Sequence, residues 1–156
     1  MIPTAVHMLK YSESYKGSWV FRAAPVSNLA SFNRSAVKAF IVKLYLPIFI
    51  VLCAAFTWIF SIRIVPDLFV VFLSGFLQTI ISYKLLNDGV YPYTQSVEFS
   101  QDMNTGLNIL LSLLAGLFAL GHYFFLTISN GIYLYLGLLV VLNVVSWIKV
   151  FPNEQT

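Results

Sequence analysis

The sequence predicts an all-α, polytopic integral membrane protein whose four transmembrane helices form two helical hairpins. Three observations carry this expectation. Hydrophobic residues make up 59% of the 156, against roughly 45–50% in soluble domains. Charged residues make up only 10%, against roughly 25%, and mean hydropathy is +0.83. Four apolar runs are each long enough to cross a bilayer, which takes about 20 residues at 1.5 Å rise. Nine basic and six acidic side chains cannot coat a soluble fold of this size. An ordinary cytosolic enzyme, a disordered chain and a coiled coil are thereby excluded.

The first run extends from Leu44 to about Ile62, with no charge between Lys43 and Arg63. The second extends from Pro66 to Leu86 and the third from Gly106 to about Ser129. The fourth extends from Gly131 to Phe151. Each is apolar on every face, whereas barrel strands are shorter and alternate in polarity. Pro66 and Asp67 suit the first turn of a helix, with the acid at its positive dipole end. The short Arg63 connection closes one hairpin, and Asn130-Gly131 makes the tight turn of the other. Residues 87–105 form a polar middle loop with Asp88, Glu98 and Asp102. It is longer than most connections.

Eight of the nine Lys and Arg residues lie in or beside the N-terminal segment, the middle loop and the C-terminus. Only Arg63 lies on the opposite side. The positive-inside rule then places both termini in the cytoplasm of a plasma (inner) membrane protein. The organisation expected is an N-terminal cytoplasmic segment 1–36, a transmembrane domain 37–151 and a tail 152–156. Residues 1–9 lack the basic start and apolar core of a signal peptide. Residues 10–24 read as a surface helix, with Tyr11, Tyr15 and Trp19 on one face and Pro25 ending it. Ser27 or Asn28 can cap the next helix, which leads through Arg34 and Lys38 into the first span.

Few residues suggest chemistry. Pro47 lies one turn inside the first span, where it removes a backbone hydrogen bond and is a candidate hinge. His122 is a candidate intramembrane polar site, since ionisable groups at membrane depth are costly. Read in mid-span with no acid in any span, it is taken as a neutral imidazole bonded to a neighbouring helix. The only other histidine is His7 and the only cysteine is Cys53. Histidine-cluster metal sites and disulfides are therefore not expected. Gly116 to Gly121 has the glycine spacing of a phosphate loop but lacks its Lys and Ser/Thr. Ser112 and Gly116, like Ala115 and Ala119, are four apart, a spacing that lets helices approach closely. Trp19, Trp58 and Trp147 fall where an interfacial aromatic belt would lie. No acid, base and nucleophile share one depth, so no enzyme, catalytic residue or cofactor is expected. The modest net charge of +3 on so apolar a chain suggests membrane orientation and no nucleic-acid partner.

The stretch Tyr15-Lys16-Gly17-Ser18-Trp19-Val20-Phe21-Arg22-Ala23-Ala24-Pro25-Val26 precedes Ala36-Val37-Lys38-Ala39 and Lys43-Leu44-Tyr45-Leu46-Pro47. Together with Tyr91-Pro92-Tyr93-Thr94, it resembles the C-terminal membrane portion of bacterial ABC-type exporter permeases. The resemblance covers most of this chain but only part of such a permease, which usually has more than four spans. It implies that Met1 begins a truncated frame, a fragment or a split subunit. It also implies a separate ATP-binding subunit docked on a short cytoplasmic coupling helix. On that implication Trp19, Arg22 and Pro25 are the coupling contacts, since Trp and Arg dominate interface hot spots. Four spans make a thin path, so an oligomer or further spans are expected beside the lipid bilayer. The rival reading is a small four-span protein that scaffolds or regulates a larger membrane complex. Its N-terminal helix would lie on anionic lipid.

Overall fold

The computed structural model describes residues 2–18, 29–87, 92–97 and 105–151. A short helix, α1 (Ile2–His7), opens the chain and tightens into a 3₁₀ turn at Met8–Lys10. Next comes α2 (Leu29–Phe40), which passes through a π-helical turn at Ile41–Tyr45 into α3 (Leu46–Phe60). The other spans are α4 (Val65–Leu86), α5 (Thr105–Leu126) and α6 (Gly131–Val150). Four helical segments are long and apolar enough to cross a membrane: Ser31–Phe60, Ile62–Leu86, Thr105–Leu126 and Gly131–Val150. The four expected spans are therefore present. The first starts earlier than its uncharged run, because α2 already carries an apolar face and runs unbroken into it.

The ends of these helices have local causes. Ser61 takes φ 62° and ψ −177°, a region costly for any residue but glycine, and so breaks α3. Pro66 and Asp67 occupy the first turn of α4 as expected. Asn130 adopts the left-handed conformation, which asparagine tolerates. Gly131 then lets the chain pass close to the Phe125 carbonyl.

The helix α4 organises the bundle. It packs most extensively on α6, then on α1 and α5, and only lightly on α3. The closest pairing thus joins the second and fourth spans, which are not neighbours in sequence. One apolar cluster holds Val70 and Leu77 of α4 with Tyr135 and Leu139 of α6. A second gathers Val6 and Leu9 around Val37, Phe40, Ile80, Tyr83 and Phe151. Asn143 reaches across from α6, its Nδ2 donating to the Leu73 carbonyl at 3.0 Å. The helix α3 buries none of its residues, and Trp58 at its end is 92% exposed. Such apolar faces suit lipid as solvent.

The N-terminal segment departs from expectation. Residues 2–7, to which the sequence assigns no element, form α1 and are docked on α4. Val6 is fully buried, and Asn87 Nδ2 donates to its carbonyl at 3.2 Å. The described part of 10–24 is not one helix. Tyr11 pairs in a β-bridge with Gln95, and after Lys10 the described residues turn helically at Tyr15–Ser18 alone, as 3₁₀. The amides of Ser12, Tyr93 and Gln95 donate to Gln95, Leu9 and Lys10 carbonyls at 2.9–3.0 Å. This non-local pairing holds the backbone extended and overrides the periodicity of Tyr11 and Tyr15. The same bonds tie the middle loop to the N-terminal segment.

His7 is buried beside Tyr11, ring to ring at 5.3 Å. Burial, and then the charge of Lys10, push its pKa below the ordinary 6.5. Lys10 is itself pushed down by burial. For His7 the neutral form belongs to the docked state, and undocked chains bind more protons near and below pH 6.5. Docking is therefore strongest above that pH and weakens as the pH falls through the lowered value. Amide exchange in residues 2–10, corrected for intrinsic rates, is expected to accelerate on acidification. In His7→Gln that acceleration is expected to disappear.

Candidate functional site

The second and third spans meet antiparallel, and two polar contacts fix their register. Gln78 Nε2 donates to the Leu111 carbonyl at 3.1 Å. His122 Nε2 and Asp67 Oδ1 lie 2.9 Å apart. The two contacts are eleven residues apart on both helices, about 16 Å along the axis. Asp67 lies in the first turn of α4 and His122 in the last turns of α5, so both are near the same end of the bundle.

This pair corrects the sequence reading of His122. An acid does lie within the second span, and His122 is its partner. The residue is also not in mid-span. It is four residues from the end of α5, about 6 Å, and Asp67 is about 3 Å from the start of α4. Comparing those depths across antiparallel helices would have paired them. The sequence reading gives Asp67 only to its own helix dipole and so leaves His122 without an acid.

The imidazole is also held from α6. Tyr135 stacks on it at 6.3 Å and 10°, and the Tyr135 hydroxyl donates to the Phe118 carbonyl at 3.1 Å. Gly121 makes room for this ring, since a Cβ there would lie 3.0 Å from the Tyr135 oxygen. Alanine substitutions at Asp67 and His122, singly and together, are expected to show a coupling of about 1 kcal/mol. The check is a double-mutant cycle of unfolding in mixed micelles.

Beside the pair lies a half-open cavity of about 590 Å³, with Leu44, Ile48, Leu52 and Val71 of its lining exposed along the open side. The first span walls it with Leu44, Tyr45 and Leu52, and α4 with Val71 and Gln78. His122 stands at one end, and Ile2 and Ala5 of α1 at the other. The lining is almost wholly apolar, with polar points at Ser74, Gln78, His122 and Tyr45. The Tyr45 hydroxyl is spent on the Phe72 carbonyl at 2.9 Å. It packs where Gly75 leaves space, because a Cβ there would lie 2.9 Å from the Tyr45 ring. Sequence inspection missed the cavity, since its walls come from four separate helices.

The other candidates fall as follows. Trp19, Arg22 and Pro25 lie outside the described residues, as do the capping candidates Ser27 and Asn28. Pro47 is the second residue of α3, which follows directly on the π-helical turn Ile41–Tyr45. The extra residue of such a turn accommodates a proline that cannot donate back along the helix. Trp147 is a packing residue as much as an anchor. It touches Phe76 and Phe151, with ring centroids at 5.9 and 4.9 Å, and the Arg34 guanidinium lies 5.8 Å over it. Among the described residues no group of His, Cys, Asp and Glu could hold a metal ion.

Fold and site together define a helical membrane protein with four candidate spans and a polar pair beside an apolar cavity. No family model, curated protein or solved structure matches the chain.

Proposed function

We propose that the chain is the transmembrane permease subunit, or part of one, of an ATP-driven ABC-type exporter coupled to a separate ATPase. The observation that supports this best is the cavity between the spans. Its 590 Å³ falls within the roughly 300–1,000 Å³ of ligand pockets, and apolar walls with few polar points are what such pockets present. A permease needs a compartment of this kind, opened in turn to each side. The lightly packed first span is the wall that moves, and Pro47 with its π-turn is where it bends. Both termini are cytoplasmic in a plasma (inner) membrane, by the placement of the basic residues. The aromatic and basic stretch with Trp19, Arg22 and Pro25 receives the push of the ATPase.

The test is purification of the natively expressed protein in mild detergent, with mass spectrometry of every co-purifying chain. A stoichiometric partner carrying a phosphate loop is expected. Trp19→Ala with Arg22→Ala is expected to weaken that association at least about tenfold, as loss of interface hot spots does. Recovery of the ATPase at full yield with the double variant removes these residues from the coupling element.

A second reading, a scaffold or regulator of a larger membrane complex, has its own observation. Gly116 on α5 and Gly137 on α6 face open space, and Leu111 is the buried residue of α5. Glycines left open on spanning helices let a further helix approach closely. On this reading the same purification yields helical membrane proteins and no ATPase.

A further inference from the structure

The polar atoms of the cavity are unbalanced. Its lining contains no Lys, Arg, Asp or Glu among the described residues. Gln78 is 7% exposed and spends its amide nitrogen on the Leu111 carbonyl. Its Oε1 accepts no hydrogen bond among the described residues and remains for the cavity. At the far end, an ionised Asp67 only accepts, so the proton of the 2.9 Å contact sits on His122 Nε2. In the neutral imidazole Nδ1 is then a second acceptor. With Asp67 ionised and His122 neutral the pair has one negative charge, and no Lys or Arg is in ion-pair contact with Asp67 among the described residues. Ser74 lies between these points, on the same face of α4 as Asp67 and Gln78. Acceptors, a net negative charge and a long apolar wall describe one kind of guest.

We propose that the cavity binds an amphiphile with an apolar body and a protonated amine head. The ammonium sits at His122, held by the charge of Asp67, and the apolar body runs along Leu52, Val71 and Phe118. An ammonium donates to the acceptors that the walls leave open, and its charge is repelled by no basic side chain in the lining. A carboxylate guest would face a like charge and, apart from the Ser74 hydroxyl, which can donate, only acceptors, which costs affinity on both counts. The proposal deepens, and rests on, the reading of the cavity as a solute compartment. Its test involves no ATPase, so failure of binding and failure of ATPase capture are separate results.

The experiment uses the full chain in phosphatidylcholine nanodiscs at neutral pH, with radiolabelled dodecylamine and empty discs as the blank. Dodecylamine, dodecanol and dodecanoate compete for the label. Saturable binding at one site per chain is expected, with dodecylamine at least about tenfold better than either competitor. Asp67→Asn is expected to erase that preference. Ala115→Phe, which fills the cavity and leaves the polar pair intact, is expected to weaken saturable binding about tenfold at unchanged helicity and hydrodynamic size. It keeps the test decisive if Asp67→Asn does not fold. Three results overturn the proposal: no saturable binding above the empty discs, dodecanoate or dodecanol binding as well as the amine, or an amine preference that survives Asp67→Asn.

Discussion

Val6→Asp is expected to release α1 from the bundle while the four spans stay assembled. Val6 is fully buried among Val37, Phe40, Ile80 and Tyr83. An unpaired carboxylate there costs several kcal/mol. The helix it would strain is only six residues long and, among the described residues, is tied across by one side-chain bond, Asn87 to Val6, worth about 1 kcal/mol. Undocking is therefore cheaper than keeping the charge buried. Amide exchange in residues 2–10 is expected to accelerate about 100-fold, equivalent to about 2.7 kcal/mol, with α4 and α6 unchanged. Equal acceleration in α4 would make α1 an integral part of the bundle. Because Ile2 and Ala5 close one end of the cavity, release of α1 also opens that end, and amine exchange is expected to quicken with it.

Gly131→Ala is expected to be the most damaging of the small substitutions, and Gly137→Ala nearly harmless. A Cβ at 131 would press on the Phe125 carbonyl oxygen and lie 3.0 Å from its carbon and from the Ile128 Cβ. Backbone atoms of a tight turn cannot swing aside as a side chain does. Overpacking of this kind costs about 1–3 kcal/mol, and the upper end is expected here. At Gly137 a Cβ meets nothing within 4 Å, so the helix-propensity gain of alanine, about 1 kcal/mol at most, is left unopposed. Unfolding of both variants in mixed micelles reads the difference. Similar losses at the two positions would show that the turn tolerates a side chain.

The spans were legible in the sequence because the bilayer tests each helix separately. Length, apolarity and the missing charge of a run such as 44–62 decide whether it crosses, whatever its neighbours do. Turn chemistry is equally local, so Asn130-Gly131 and Pro66-Asp67 mark their helix ends in the sequence and in the fold. Where the reading erred, the deciding partner was distant. Tyr11 and Tyr15 have helical spacing, but Gln95 and Tyr93 hold the neighbouring backbone extended. The α1 segment has no helix signal beyond its apolar residues. It is six residues long, too short to persist without a surface to dock on, and α4 supplies that surface.

The sequence by itself determined that this is an all-helical membrane protein with four spans, and it located their turns. It also marked His122 as the intramembrane residue to explain. The tertiary structure alone decided that α4 is the central helix, that α1 closes one end of a cavity, and that His122 answers to Asp67. The physical reason is the same in each case. Hydropathy and turn preference are properties of adjacent residues, whereas a cavity and a histidine–carboxylate contact exist only where helices far apart in the chain are brought to one depth and one face.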